Sequence, residues 1–189
     1  KSKLEGEERI LKNFPLATII RPSIVYSVDD NFTTNFMTLL NRLPIFPLYY
    51  EGKTKFAPIH CSDLTDIIFN IISNNVNSKI IECVGPEIIS FKEILEKLLN
   101  LIGKKRLLIP MPLPIAQMSA RFFEIMPKPL LTRDQLKLLK YDNVLSGKYK
   151  SNSDIGVPSL RYFDEEVKKY CYMWREGGQF STEKYNSDN

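Results

Sequence analysis

The chain has 189 residues, 43% of them hydrophobic and 25% charged, with a formal net charge of +4. That composition suits a globular chain with a buried core and excludes intrinsic disorder over most of its length. Only 8 glycines rule out collagen-like and glycine-rich low-complexity classes, and so mild a positive charge does not demand nucleic acid as a partner.

Residues 1–13 read as a charged helix that ends before Phe14-Pro15. Its opening, Lys1-Ser2-Lys3-Leu4-Glu5-Gly6-Glu7, lacks the apolar stretch of a signal peptide and any capping residue. It is expected to be a helix already under way, and the chain the later part of a longer protein. Ala17 to Arg21 is a β-prone run stopped by Pro22 and predicts a buried strand. A polar loop follows over 27–31. Phe32, Phe36, Leu39, Leu40 and Leu43 keep helical spacing until Pro44 and Pro47. Lys55 to Ile59 predicts a second short strand. Ser62 is placed to cap a helix with Leu64, Ile67, Ile68, Ile71 and Ile72 on one face. Lys79 to Val84 predicts a third strand.

Ser90 and Glu93 form a capping-box pair. Behind them Phe91, Ile94, Leu95, Leu98, Leu99 and Ile102 repeat at helical spacing, and Gly103 supplies the stop. Alternating strands and helices point to α/β construction with parallel pairing. Further helices are expected from Pro114 to Ile125, from Thr132 to about Lys140, and as one amphipathic helix over 159–174 carrying Tyr162, Phe163, Val167, Tyr170 and Trp174. Residues 181–189 are expected to fray.

Several chemistries are unsupported. No apolar run, Ile67 to Ile72 with its interrupting Asn70 included, approaches the roughly 20 residues that span a bilayer. Cys61, Cys83 and Cys171 are widely separated and form no CxxC, so neither a disulfide scaffold nor a metal site is expected, and a reducing compartment is the simplest reading. The glycine-rich phosphate loop that opens a dinucleotide fold is absent, since Gly177-Gly178 follows a helix.

Four stretches recur in order: Lys3-Leu4-Glu5-Gly6-Glu7, Arg21-Pro22-Ser23-Ile24-Val25-Tyr26, Lys55-Phe56-Ala57-Pro58-Ile59-His60-Cys61-Ser62-Asp63, and Gly85-Pro86-Glu87. Together they resemble the second half of the extended short-chain dehydrogenase/reductases. Asp30-Asn31-Phe32, Gly52-Lys53-Thr54-Lys55-Phe56, Leu131-Thr132-Arg133-Asp134-Gln135 and Asp142-Asn143-Val144 narrow the likeness. They resemble one subgroup, the NAD(P)H-binding accessory subunits of respiratory complex I and their epimerase/dehydratase-like bacterial homologues. Ser27 and Val28-Asp29 depart from the family's usual Gly and Pro-Glu. The resemblance implies the C-terminal portion of a Rossmann-like doubly wound parallel sheet, mainly 1–26 and 55–75, plus a smaller, mainly helical substrate-side lobe. Residues 1–180 are read as one unit.

The resemblance also implies site residues. Lys3 would be the Lys of a Tyr-x-x-x-Lys pair whose Tyr lies upstream of Lys1. Such a Lys lowers the phenol's pKa and, in the family, hydrogen-bonds the nicotinamide ribose. Pro22 and the backbone at Ile24 and Val25 would approach the nicotinamide, at a strand end where open α/β sheets bind ligands. His60 is either a substrate-side acid or base, or a satisfied structural group. Asp63 reads as structural at a helix start, and Lys104-Lys105-Arg106 as a solvated turn or an acidic-partner contact.

The implied function is a cofactor-holding accessory subunit of complex I. An active NAD(P)-dependent oxidoreductase or epimerase/dehydratase, or a non-catalytic interaction module, stays open. NADP or NAD would be bound by the full-length protein and not by this chain alone. The implied partners are an N-terminal Rossmann half and complex I subunits at the membrane face. The implied location is the bacterial cytoplasm or the mitochondrial matrix, including its inner-membrane face.

Overall fold

The computed structural model describes residues 2–76, 80–112 and 139–178. The expected helix over 114–125, most of the one opening at Thr132, the motif at 131–135 and the tail lie outside those residues. The chain runs α1 (Ser2–Asn13), β1 (Ile19–Pro22), β2 (Val25–Tyr26), α2 (Thr33–Arg42), β3 (Ile45–Tyr49), β4 (Lys55–Phe56), β5 (Ile59–His60), α3 (Cys61–Ser73), β6 (Ile80–Cys83), β7 (Ile89–Ser90), α4 (Phe91–Ile102), β8 (Leu107–Met111), β9 (Lys150–Ser151) and α5 (Phe163–Lys168). Tight 3-10 turns follow β3 at Tyr50–Gly52 and α5 at Cys171–Trp174. Contacts divide the chain into two units: Lys1–Ser27, Lys55–Ile89 and Asp142–Phe163 in the first, Val28–Thr54, Ser90–Tyr141 and Asp164–Asn189 in the second.

The first unit is built on a parallel sheet in the order β1-β6-β9. Ile19 pairs with Ile80 and Pro22 with Cys83, while Ile81 pairs with Lys150. α3 lays Leu64, Ile67 and Ile71 on Ile59, Ile81 and Cys83. Ile68 and Ile72 turn outward instead, 38% and 70% exposed. The apolar positions of α3 therefore cover two faces, of which the sheet takes one. The expected strand from Lys55 to Ile59 is broken in two at Ala57-Pro58, where proline has no N–H for a ladder. β5 resumes beside β2, with Val25 opposite Ile59.

In the second unit, the capping box is present as the sequence predicts. Ser90 N–H donates to Glu93 (2.6 Å) and Glu93 N–H to Ser90 Oγ (3.2 Å), while Gly103 closes α4 in the left-handed conformation at φ 67°. α4 buries Phe91, Ile94, Leu95, Leu98, Leu99 and Ile102. α2 buries Met37 and Leu40, and Phe36 meets Phe46 and Phe91 edge-on at 5.9 and 5.3 Å. β3 and β8 form a parallel ribbon that the sequence conceals behind Pro47 and Pro110. Proline survives there because each strand of a two-stranded ribbon keeps an edge that needs no donor.

The expected helix over 159–174 is only six residues of α-helix followed by a 3-10 turn. Residues 159–162 are extended because their polar groups are committed elsewhere. Ser159 Oγ donates to the Val84 carbonyl (2.7 Å), Arg161 N–H to Asp63 (3.1 Å) and Phe163 N–H to Glu87 (2.9 Å).

Candidate functional site

The stretches at 21–26, 55–63 and 85–87 meet where β1 and β6 end and β5 begins, within the first unit. Ser23 N–H donates to the Cys83 carbonyl (2.9 Å) and Ile59 N–H to the Ile24 carbonyl (2.9 Å). Gly85 N–H donates to Ala57 (3.0 Å), Ala57 N–H to Asn143 (3.1 Å) and Asn143 N–H to Lys55 (2.8 Å). Ser23 Oγ also donates to the Asn143 carbonyl at 2.9 Å. Gly85 is required where it stands, because a Cβ there would lie 1.7 Å from the Pro58 carbonyl oxygen. The backbone just beyond β6 passes directly against the Ala57-Pro58 break, and only glycine leaves room.

Behind this junction lies a buried polar lock. Asn152, 1% exposed, accepts from Val84 N–H (3.0 Å) and donates to the Val157 carbonyl (3.1 Å) and Ser159 Oγ (3.2 Å). Asp63 is buried and takes both the backbone N–H and the guanidinium of Arg161. Tyr26 is fully buried. Its hydroxyl donates to the Arg161 carbonyl at 3.2 Å, and its ring meets His60 and Phe163 at 5.3 and 5.0 Å.

His60 caps α3: its Nδ1 accepts from Ser62 N–H at 3.3 Å. The cap expected of Ser62 therefore belongs to the residue two places earlier. Asp63 keeps a structural place, through Arg161. The basic run is also structural in part, since Arg106 donates to the Leu40 and Asn41 carbonyls (2.9 and 3.0 Å) at the end of α2. Tyr170 and Trp174 hydrogen-bond Thr33 and Thr38 inside the second unit, so they belong to packing. Burial pushes the Cys83 thiol up to about 11 and raises that of Cys171, leaving both as inert thiols at neutral pH.

Lys3 is exposed on α1, and Pro22 is exposed at the end of β1, with Ile24 and Val25 half-buried beyond it. The contact tying α1 to this strand end is one that sequence reasoning missed. Arg21 grips Glu7 with both ends of its fork, Nε to Oε1 at 3.1 Å and Nη2 to Oε2 at 2.5 Å. The Tyr149 ring lies under the guanidinium, 4.8 Å from its centroid. The hydrogen bond from Arg21 holds the Glu7 carboxyl below the usual carboxylate range. The signal was in the sequence, as Glu7 and Arg21 both sit inside the quoted motifs.

The donor set fits the nicotinamide end of a dinucleotide: a cation on a helix, an exposed strand end and a glycine-dependent backbone junction. It holds no glycine-backed turn for the pyrophosphate. Among the described residues no cluster of His, Cys, Asp or Glu could hold a metal ion.

No family model matches the chain. It is similar to NADH dehydrogenase (ubiquinone) 1 alpha subcomplex subunit 9 of Arabidopsis thaliana, 25% identical over 94% of this chain and 47% of that protein. The same subunit of Rattus norvegicus is 28% identical over 92% of this chain and 48% of its own length. The NADH-ubiquinone oxidoreductase 40 kDa subunit of Neurospora crassa is 23% identical over 82% and 41%. The chain thus spans about half the length of the curated relatives it matches.

Among solved structures, the Thermus thermophilus UDP-glucose 4-epimerase in complex with NAD aligns with a TM-score of 0.58 at 12% identity, over 90% of this chain and 50% of that one. RMD from Pseudomonas aeruginosa, complexed with NADPH, gives 0.58 at 9% identity, over 92% and 53%. These likenesses establish the fold. The parallel α/β construction expected from the sequence is therefore present.

Proposed function

We propose that this chain is the C-terminal part of an NAD(P)-holding accessory subunit of respiratory complex I, supplying the nicotinamide side of the cofactor site and most of the substrate-side lobe. The observation that carries this reading is the run of complex I subunits, from plant, rodent and fungus, that align along 82% to 94% of the chain. In this reading an upstream Rossmann half brings the phosphate loop, and Lys3, Pro22, Ile24 and Val25 face the nicotinamide ribose and amide. The bound dinucleotide would supply hydride chemistry or, in an accessory role, a structural anchor. Because the pyrophosphate turn is elsewhere, this chain alone binds neither NAD nor NADP usefully. Among the described residues no helix is long and apolar enough to cross a membrane. Attachment to complex I would place the protein at the inner-membrane face in the mitochondrial matrix or on the cytoplasmic side in a bacterium.

The test is purification. A tagged full-length protein, isolated from membranes in mild detergent, should bring complex I subunits and NADH dehydrogenase activity with it. A second reading, an active oxidoreductase or epimerase/dehydratase, draws on Lys3 standing on the helix that Glu7 ties to the strand end. A full-length protein that stays wholly soluble and turns over a carbonyl substrate with NADPH would establish that reading and remove the first.

A further inference from the structure

Lys3 and Glu7 are four residues apart on α1 and so share one helix face, a single turn from each other. Glu7 is the residue of that face that the structure ties to β1, through a bidentate pair with Arg21. Arg21 immediately precedes Pro22, where the strand ends. Its side chain is 30% exposed and that of Glu7 22%, so the pair is partly withdrawn from water. The Tyr149 ring closes the other side of the guanidinium and belongs to the segment leading into β9. Three elements of one unit therefore meet at a single guanidinium.

The geometry of such a pair matters more than its strength. A fork-to-carboxylate contact fixes both distance and angle, which a lysine at position 21 would not do. A helix held only by apolar contacts can slide or roll, whereas a bidentate pair one turn from Lys3 sets the height of that turn against the strand end.

Resting on the cofactor-site reading above, we infer that Glu7 and Arg21, with Tyr149 behind the guanidinium, are positioning residues that hold Lys3 at the nicotinamide end of the dinucleotide site. They touch no cofactor themselves. They act through the placement of α1 against Pro22 to Val25.

The test uses the full-length protein and two probes, NADH and ADP. ADP lacks both the nicotinamide and its ribose, so its binding reports the phosphate and adenosine end alone. Calorimetry on wild type, Glu7→Gln and Arg21→Lys separates the roles. Glu7→Gln should weaken NADH by about tenfold, the equivalent of about 1.4 kcal/mol, and leave ADP within about twofold. Arg21→Lys should show the same selectivity, because charge without the fork does not fix the helix. Glu7→Asp, which keeps the carboxylate, should recover part of the NADH affinity.

Equal weakening of NADH and ADP would mean a merely structural pair and overturn the inference. So would NADH binding unchanged in both variants while wild type binds normally. A wild-type protein that binds neither probe would overturn the cofactor reading and the inference with it. If a variant fails to fold, Tyr149→Leu removes the ring behind the guanidinium while leaving the ion pair. It should weaken NADH selectively by a smaller factor, and an unchanged affinity there counts against the proposal.

Discussion

In the first unit, strands of two to four residues are held at their ends by buried polar side chains that bond backbone groups: Asn152 to Val84 and Val157, Asp63 to Arg161, Ser159 to Val84. In the second, the corresponding work is done by rings and branched chains, Phe36 against Phe46 and Phe91, and Leu95, Leu98 and Ile102 along α4. The two kinds of core fail differently. Hydrogen bonds are directional, so removing one partner strands the other in a place water cannot reach. An apolar core loses contacts and gains a cavity whose cost depends on how far its walls relax. The strand-end junction of the first unit is thus a place where shape is specified sharply and tolerance is small. That is what a site presenting backbone to a ligand requires.

The sharpest way to break this contrast is Gly85→Ala. The added methyl would meet the Pro58 carbonyl at 1.7 Å, backbone against backbone. Loss of about 4 kcal/mol or more is expected, seen as a collapse of the thermal transition or of the yield of folded protein. A well-folded Gly85→Ala protein with a melting point near wild type would show that the junction gives way easily and remove the contrast.

Leu98→Ala probes the other core. Leu98 is fully buried in α4, so about 3 kcal/mol should be lost. Denaturant unfolding measures it, and the loss should shrink if a larger neighbouring side chain is introduced to fill the space. Asp63→Asn tests the polar lock at about 2 kcal/mol, the estimate kept low because the Arg161 side chain is 36% exposed. Here no larger apolar neighbour should rescue. Restoration by such a neighbour would mean that both units are held by packing alone.

The smallest effect is a pH dependence at Glu7. Its folded pKa lies below the unfolded value because Arg21 hydrogen-bonds the charged form. Its contribution is therefore present at pH values above the unfolded pKa and is lost as pH falls through the lowered folded pKa. The melting difference between wild type and Glu7→Gln should be visible at pH 7 and close as the solution is acidified below the ordinary carboxylate range. A difference that persists at low pH would assign it to packing of the side chain.

Much of the second unit could be read from residue order. The spacing of Phe91 to Ile102, the Ser90–Glu93 box and Gly103 locate α4 to the residue, because each signal is local and the helix satisfies its own backbone. The quoted motifs of the first unit likewise mark the strand ends that converge. Other features stayed hidden. Pro47 and Pro110 masked a ribbon whose tolerance for proline depends on its having, among the described residues, no third strand. The spacing of Tyr162 to Trp174 suggested one helix, but Asp63, Glu87 and Val84 hold its first turn extended. Those partners lie between 75 and 98 residues away in sequence.

The sequence alone determined that the elements alternate as α/β. It also determined where α4 starts and stops, through the Ser90–Glu93 capping box and Gly103. Only the tertiary structure decided that α3 offers one apolar face to the sheet and one to solvent, and that Glu7 clasps Arg21 beside the strand end. The division has a physical cause. Helix signals act within about one turn and are written in consecutive residues. Ion pairs, strand register and the fit of a glycine against a distant carbonyl depend on which segments the fold brings together, and no local pattern encodes that meeting.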